Sequence, residues 1–361
     1  MVAVLTPLFA LTAALAHAQG VWLTLPPMPT ARSFLGAAAA PCPHAVPGLR
    51  ESCVYAVGGY DGTNDLNTLE AYSPATNSWV TLPPMPTARR LLAAAAAPCP
   101  RNVAGLRGTC VYAIGGFHGV DLNTVEAYSP ATNTWATLPP MPTARENLAA
   151  STAPCPRGVA GLRGTCVFAI GGRNSAILDT VEAYSPETDT WATLPSMPTA
   201  RVALAAATSD CPRRVPGLRE TCVYAVGGNN GSAVLDTVEA YSPATDSWAA
   251  LPSMPTARFD LAAAAARCPD ASTDASRGAC LYAVGGINTV ALNTFEDYSP
   301  ARNAWTALPP MPTARDSLGA ASAPCPDAPH RTCVYEVGGE NAASTPLNTL
   351  EAFEIDEGHH P

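Results

Sequence analysis

Short apolar runs recur along the chain, each closed by Gly, Pro, Ser or Asn before the next begins. From Arg89 onward one such unit reads RRLLAAAAAPC, then TCVYAIGG, then LNTVEAYSP, then NTWATLPPMPT. The pieces are short and carry β-branched and aromatic residues, which predicts four antiparallel strands, named a to d in chain order. The alanine run of strand a has helix propensity. Its flanking Pro and the four-piece period predict a strand there as well.

The unit repeats. Trp stands at 22, 79, 135, 191, 248 and 305, spaced by 57, 56, 56, 57 and 57 residues. Glycine pairs keep step, from Gly58-Gly59 to Gly338-Gly339, and M-P-T-A-R precedes each new unit. Self-similarity at such a period marks a repeat architecture. A four-stranded sheet of this composition cannot cover both apolar faces alone, so sheets must stack, and closing the stack into a ring removes its open ends. Strand a then lies nearest the axis, where taper leaves room only for the alanines at 37–40, 93–97 and 262–266. The last unit supplies strands a to c, with Phe353 in the Tyr position and no Trp after it. Trp22 has no a, b or c before it. Residues 20–26 are therefore expected to be the outer strand of the last sheet, giving six blades.

This pattern resembles the kelch repeat: an arginine entering the first strand, a Gly pair closing the second, then a Tyr and a Trp seven residues apart, as in Tyr72 and Trp79 or Tyr128 and Trp135. The resemblance covers residues 21–355. It implies an all-β fold, a six-bladed kelch-type β-propeller with four antiparallel strands per blade. The expected organisation is a signal peptide at 1–18, the propeller at 19–355 and a flexible tail at 356–361.

The leader assignment rests on an uncharged, mostly apolar stretch ending in Ala16 and Ala18, which predicts cleavage before Gln19. No other stretch reaches the ~20 apolar residues a membrane helix needs. The product is expected to be secreted and not membrane-spanning. The cysteines then read as disulfides, one clasp per a–b loop: Cys42 with Cys53, Cys99 with Cys110, Cys155 with Cys166, Cys211 with Cys222, Cys268 with Cys280, and Cys325 with Cys333. None has the C-x-x-C spacing of a metal or redox site. Ordinary kelch repeats do not require these cysteines, so the stapled loop departs from the family pattern.

Charge narrows the function further. A net charge of −9 argues against nucleic acid, and with 20 arginines and no lysine the chain has no amine for Schiff-base or phosphate-loop chemistry. The repeat arginines Arg32, Arg89, Arg145, Arg201, Arg258 and Arg315 share their period with Glu70, Glu126, Glu182, Glu239, Glu296 and Glu351, which predicts bidentate structural pairing rather than an anion-capturing ring. The methionine of each M-P-T-A-R is read as packing. No metal and no cofactor is expected.

Variable residues mark the candidate surface. The b–c loops differ between blades, giving Tyr60, Phe117, His118, Arg173, Asn229 and Asn230. The positions after the repeat arginines differ too, giving Phe34, Arg90, Glu146, Asn147, Phe259, Asp260 and Asp316. Both sets are expected on one face of the disc, the face through which the resemblance implies partner binding. The leading reading is a non-catalytic secreted scaffold that binds an extracellular protein or glycan; Tyr60, Phe117 and His118 have the character to stack on a sugar. The alternative is a structural protein assembling with copies of itself. A second alternative is a copper oxidase like galactose oxidase, which requires Tyr, His and a Tyr–Cys crosslink. Beyond the leader, the chain offers only His44, His118, His330, His359 and His360, and every Cys has a local partner.

Overall fold

The computed structural model describes residues 20–269 and 278–356. The expected signal peptide, and the expected tail apart from Asp356, lie outside the described residues. The chain opens with β1 (Gly20–Leu25) and continues into blade 1, made of β2 (Gly36–Pro41), β3 (Ser52–Val57), β4 (Leu69–Ser73) and β5 (Ser78–Leu82). Blades 2 to 5 repeat that order as β6–β9 (93–138), β10–β13 (149–194), β14–β17 (205–251) and β18–β21 (262–307). Blade 6 holds β22 (Gly319–Pro324), β23 (Thr332–Val337) and β24 (Leu350–Ile355). Its sheet order is β22-β23-β24-β1, so the N-terminal strand is the outer strand of the last blade, as expected from the orphaned Trp22. Among the described residues no helix is long and apolar enough to cross a membrane.

The core lies between blades. Strands b and c are buried on both faces, and the apolar clusters combine neighbouring sheets: Tyr55, Val57 and Leu69 of blade 1 pack with Val111, Ala113 and Tyr128 of blade 2. At the narrow end of the axis, the start of strand a leaves little room for a side chain. A Cβ on Gly36 would sit 2.6 Å from the Ala94 methyl, and one on Gly319 2.5 Å from that of Ala37. The alanine runs are strands because the taper favours small side chains, the largest lining the channel along strands a being Thr152 and Thr208, and tertiary packing overrides their helix propensity.

Three polar devices lock the blades. First, each repeat arginine is fully buried and contacts its strand-c glutamate, at 2.7 Å for Arg32–Glu70 and 2.6 Å for Arg89–Glu126. The pairing is not bidentate as expected. Only Nη2 meets the carboxylate, while Nη1 of Arg89 donates to the carbonyls of Gly115 and Thr124. The other carboxylate oxygen accepts from the threonine of M-P-T-A-R, as from Thr87 Oγ1 at 2.8 Å and Thr143 Oγ1 at 2.7 Å. The fork is split because a strand-end carbonyl and a carboxylate lie side by side, and both need a donor once buried. Met85 and Met141 pack their sulfurs 3.4 Å from the guanidinium. Burial lowers Arg89, Arg145 and Arg258 to about 10, and the glutamate partner opposes that shift. Secondly, the indole N–H of each strand-d tryptophan donates to a proline carbonyl of the preceding blade, and the seam is no exception: Trp22 donates to Pro309 at 2.9 Å.

The third device explains an irregularity. The strand-c tyrosine hydroxyl donates to the Asn or Asp of the c–d turn, as Tyr72 does to Asn77 and Tyr128 to Asn133, at 2.6 and 2.5 Å. Blade 6 has no c–d turn, because its c and d strands come from opposite ends of the chain. A hydroxyl there would be buried without that acceptor, and the residue is Phe353. Its ring packs instead in an aromatic cluster with Trp22 and Phe295, at centroid distances of 5.3 and 4.9 Å.

All six predicted disulfides form within their own blades, with Cα–Cα distances of 4.8–5.1 Å. The stapled a–b loop folds onto the c–d turn: Ser73 Oγ donates to Arg50 O at 3.0 Å, and Thr76 Oγ1 to Gly48 O at 2.6 Å.

Replacing Cys99 and Cys110 together by serine is expected to cost about 3 kcal/mol, the closure entropy of a loop this size, measured by denaturant unfolding against the wild type. Deleting residues 20–25 leaves β24 as an open edge; a lower melting temperature and concentration-dependent association on gel filtration are expected.

Candidate functional site

The two faces of the disc are unequal. One carries the a–b and c–d connections, which are closely similar in blades 1 to 4 and bonded to each other there, whereas the a–b loops of blades 5 and 6 differ in length and sequence. The other carries the b–c loops and the segments entering strand a. The two candidate sets on that face are partners: Ser33 bridges Tyr60, Arg90 bridges Phe117, Glu146 bridges Arg173, Val202 bridges Asn229, Phe259 bridges Ile287 and Asp316 bridges Glu340. Each blade thus offers a small two-stranded ribbon at its rim. The glycine pair makes this possible, since Gly59 has φ +106° and a Cβ there would press 2.8 Å from Ser33 O.

Between blades 1 and 2 these ribbons converge. The Arg90 guanidinium lies 4.8 Å from the Tyr60 ring centre and 5.3 Å from that of Phe117. Its Nη1 is 3.1 Å from Asp65 Oδ1, and the other oxygen of Asp65 is 3.0 Å from His118 Nδ1. Arg90 remains 31% exposed and His118 57%. Beside them Val120 is 63% exposed, one of three large hydrophobic residues so open among those described. A cation held between two rings and anchored by a carboxylate is a preorganised contact surface. Asp65 was not among the sequence candidates; it lies five residues beyond Tyr60, and only the loop's return brings it under Arg90.

At the axis a different arrangement appears. Phe34, Leu91, Asn147, Ala203, Asp260 and Ser317 all take left-handed conformations, with φ between 49° and 57°. Each N–H donates to the carbonyl of its counterpart in the preceding blade, Leu91 to Phe34 at 2.9 Å, Asn147 to Leu91 at 2.8 Å, and so round to Phe34 to Ser317 at 2.8 Å. The mouth of the channel is therefore rimmed by a closed circle of six backbone hydrogen bonds. Left-handed geometry costs a non-glycine residue roughly 1–2 kcal/mol. The closed circle offsets that cost by giving every rim amide and carbonyl a partner.

One side of the rim is acidic. Asn147 Nδ2 donates to Asp260 Oδ1 at 3.3 Å, and Ser317 Oγ to Asp316 Oδ1 at 2.8 Å. Burial, then the neighbouring Asp316, pushes Asp260 up to about 7; the Asn147 hydrogen bond opposes. Burial raises Asp316 too, and raises Glu340 with help from Asp316.

The structure thus gathers Tyr60, Arg90, Phe117 and His118 in one cluster, and Asn147, Asp260 and Asp316 in another, with Phe34 next to Ser317 on the same rim. Arg173 is braced by Glu146 at 2.6 Å, and Glu146 and Asp316 lie below the surface. Asn229 and Asn230 form a separate exposed turn on blade 4, where Asn230 Oδ1 accepts from Ser232 N at 2.9 Å. Phe259 is half-buried on blade 5 beside Ile287. Among the described residues no three His, Cys, Asp or Glu side chains form a metal-ligating set, and every described cysteine is in a disulfide.

Six four-stranded blades around an alanine-lined axis, each pinned by a buried arginine, with the last completed by a strand from the other end of the chain, define a six-bladed β-propeller. The kelch motif matches residues 41–86, 98–142, 154–198, 219–255 and 275–312, and the chain belongs to the kelch-repeat family. It is similar to Kelch-like protein 23 of Homo sapiens, 25% identical over 311 residues that cover 84% of this chain and 46% of that protein. Kelch-like protein terF of Aspergillus terreus is 25% identical over 249 residues, 65% of this chain and 48% of that one. Kelch-like protein 35 of Mus musculus is 30% identical over 147 residues, 40% and 21% of the two chains. The chain spans about half the length, or less, of these curated relatives.

Because the folded Asp260 holds its proton to about 7, its contribution is full below its ordinary value of 3.8 and is lost as the pH rises between the two. Asp260→Asn is expected to raise the melting temperature more at pH about 8 than at about 5. Calorimetry at the two pH values checks this.

Proposed function

We propose that this propeller is a non-catalytic scaffold of an oxidising, extracellular compartment that binds a protein partner through the face carrying the b–c loops. The observation that carries the reading is the Arg90 cluster. Arginine and aromatic residues dominate the energy of protein interfaces, and here they are held in place before any partner arrives. Six disulfides in one chain support the compartment, since such bonds persist where thiols are not kept reduced. The apolar stretch at 1–18 supports secretion.

A protein suits the cluster better than a glycan. One face of both the Tyr60 and Phe117 rings is taken by the guanidinium, which leaves little open ring for a sugar to stack on. The alternative of head-to-tail assembly has less support, because β1 fills the outer edge of blade 6 within its own chain.

Crosslinking of the disulfide-bonded protein in culture medium, followed by mass spectrometry, identifies a partner whose binding can then be titrated. Arg90→Ala with Phe117→Ala is expected to weaken that binding about tenfold or more, as for a hot spot. Arg101→Ala, on the stapled loops of the other face, is expected to leave it unchanged. Equal loss from both faces, or none from either, contradicts the proposed surface.

A further inference from the structure

One buried group is absorbed by neither the scaffold nor the surface. At the strand-b position beside the arginine clamp, five blades carry alanine: Ala56, Ala113, Ala169, Ala225 and Ala283. Blade 6 carries Glu336. It lies directly across β23–β24 from Glu351, the carboxylate of the clamp, and across β22–β23 from Ala320. It is wholly buried, and neither of its carboxylate oxygens has a hydrogen-bond partner. Val334, two residues back on the same strand face, packs with Phe295, Met311 and Leu318, and Asp297, two residues on from Phe295, brings a buried carboxyl with an unpartnered Oδ1 to the same face of blade 5.

The charged groups facing Glu336 are Arg315 and Glu351 of its own blade and, on the facing sheet of blade 5, Asp297, which burial raises to about 6 while Arg302 opposes. Two of the three guanidinium nitrogens of Arg315 are committed, Nη2 at 2.6 Å from Glu351 and Nη1 donating to the carbonyls of Gly338 and Thr349 at 3.1 and 3.2 Å, while Nε is buried without a partner and does not reach Glu336. The second oxygen of Glu351 takes the Thr313 hydroxyl at 2.7 Å. One guanidinium therefore faces two carboxyl groups in the buried interior. Two like charges so placed cannot both ionise without an uncompensated buried charge.

We infer that Glu336 makes blade 6 a pH-sensitive seam: it stays the neutral acid while the ring is closed and gives up its proton to water when the blade opens. Burial, then the adjacent Glu351, raises it well above the ordinary carboxyl range, and Arg315 opposes. The sign follows. Below the ordinary value near 4.5, the open and closed forms are both protonated and the seam is at its tightest. Above it, opening releases one proton, so the opening constant grows about tenfold per pH unit until the closed form ionises too. Blade 6 is where this matters, because no covalent turn joins its c strand to its d strand.

Hydrogen exchange of the intact disulfide-bonded protein, read by mass spectrometry from about pH 5 to 8 and corrected for intrinsic rates, tests this. In the wild type, the opening constant for peptides of β24 and β1 is expected to rise about tenfold per unit, while β4 and β5 of blade 1 stay flat. Glu336→Ala, which restores the residue of the other five blades, and Glu336→Gln are expected to flatten the blade 6 profile. Difference infrared spectra of wild type minus Glu336→Ala are expected to show a protonated carboxyl band at neutral pH. A flat wild-type profile, a slope that survives in Glu336→Ala, or a carboxylate band in place of the acid overturns the proposal.

Discussion

Each sheet of this protein is apolar on both sides, and that constraint organises everything else. The central strands b and c bury both faces, so no blade can hold its fold against water and each must be covered by two neighbours. A row of such sheets has ends that remain uncovered; a ring has none. Closing the ring brings all the inner strands together at the axis, where glycine, alanine and the small hydroxyl residues Ser151, Thr152, Thr208 and Ser322 fit. The identity of strand a is thus a consequence of what strands b and c demand. The arginine clamps serve the same end, since each one satisfies the carbonyls that the close approach of strands and loops would leave dry.

The seam shows how a repeat adapts where its periodicity fails. Five blades are continuous pieces of chain, and the sixth is assembled from both ends. There the tyrosine loses its turn and becomes Phe353, and the space is filled by Trp22 and Phe295. Trp22 still reaches the carbonyl of the preceding blade, so the inter-blade link is kept while the covalent one is lost. Glu336 sits in this same sheet, where a continuous blade would carry alanine.

The unequal faces follow from the sulfur clasps. In blades 1 to 4 a stapled a–b loop is held against the c–d turn by serine and threonine hydroxyls, and that requirement keeps the sequence of the face alike from one of these blades to the next. The b–c face has no such obligation beyond its glycine pair and its rim of backbone hydrogen bonds. Those bonds are made by main-chain atoms, so side chains as different as Phe34, Asn147 and Asp260 occupy equivalent places. A rigid rim with free choice of side chain is the physical condition for a surface that differs from blade to blade.

Periodic features were legible in the residues alone. The Trp spacing, the unmatched strands at the two ends and the paired cysteines determined blade number, closure and disulfides, because each is a local pattern repeated in register. The arginine–glutamate pairing was legible as a pairing but not in its geometry, since the share taken by Thr87 or Thr143 depends on where the chain crosses from one blade to the next. The candidate residues were found by their variation, yet nothing in their order placed Asp65 beneath Arg90, joined Asp260 to Asn147 across 113 positions, or left Glu336 facing Glu351 without a donor. Those relations belong to the folded ring, because contact and burial arise only when distant loops are brought to the same rim and water is driven from between the sheets.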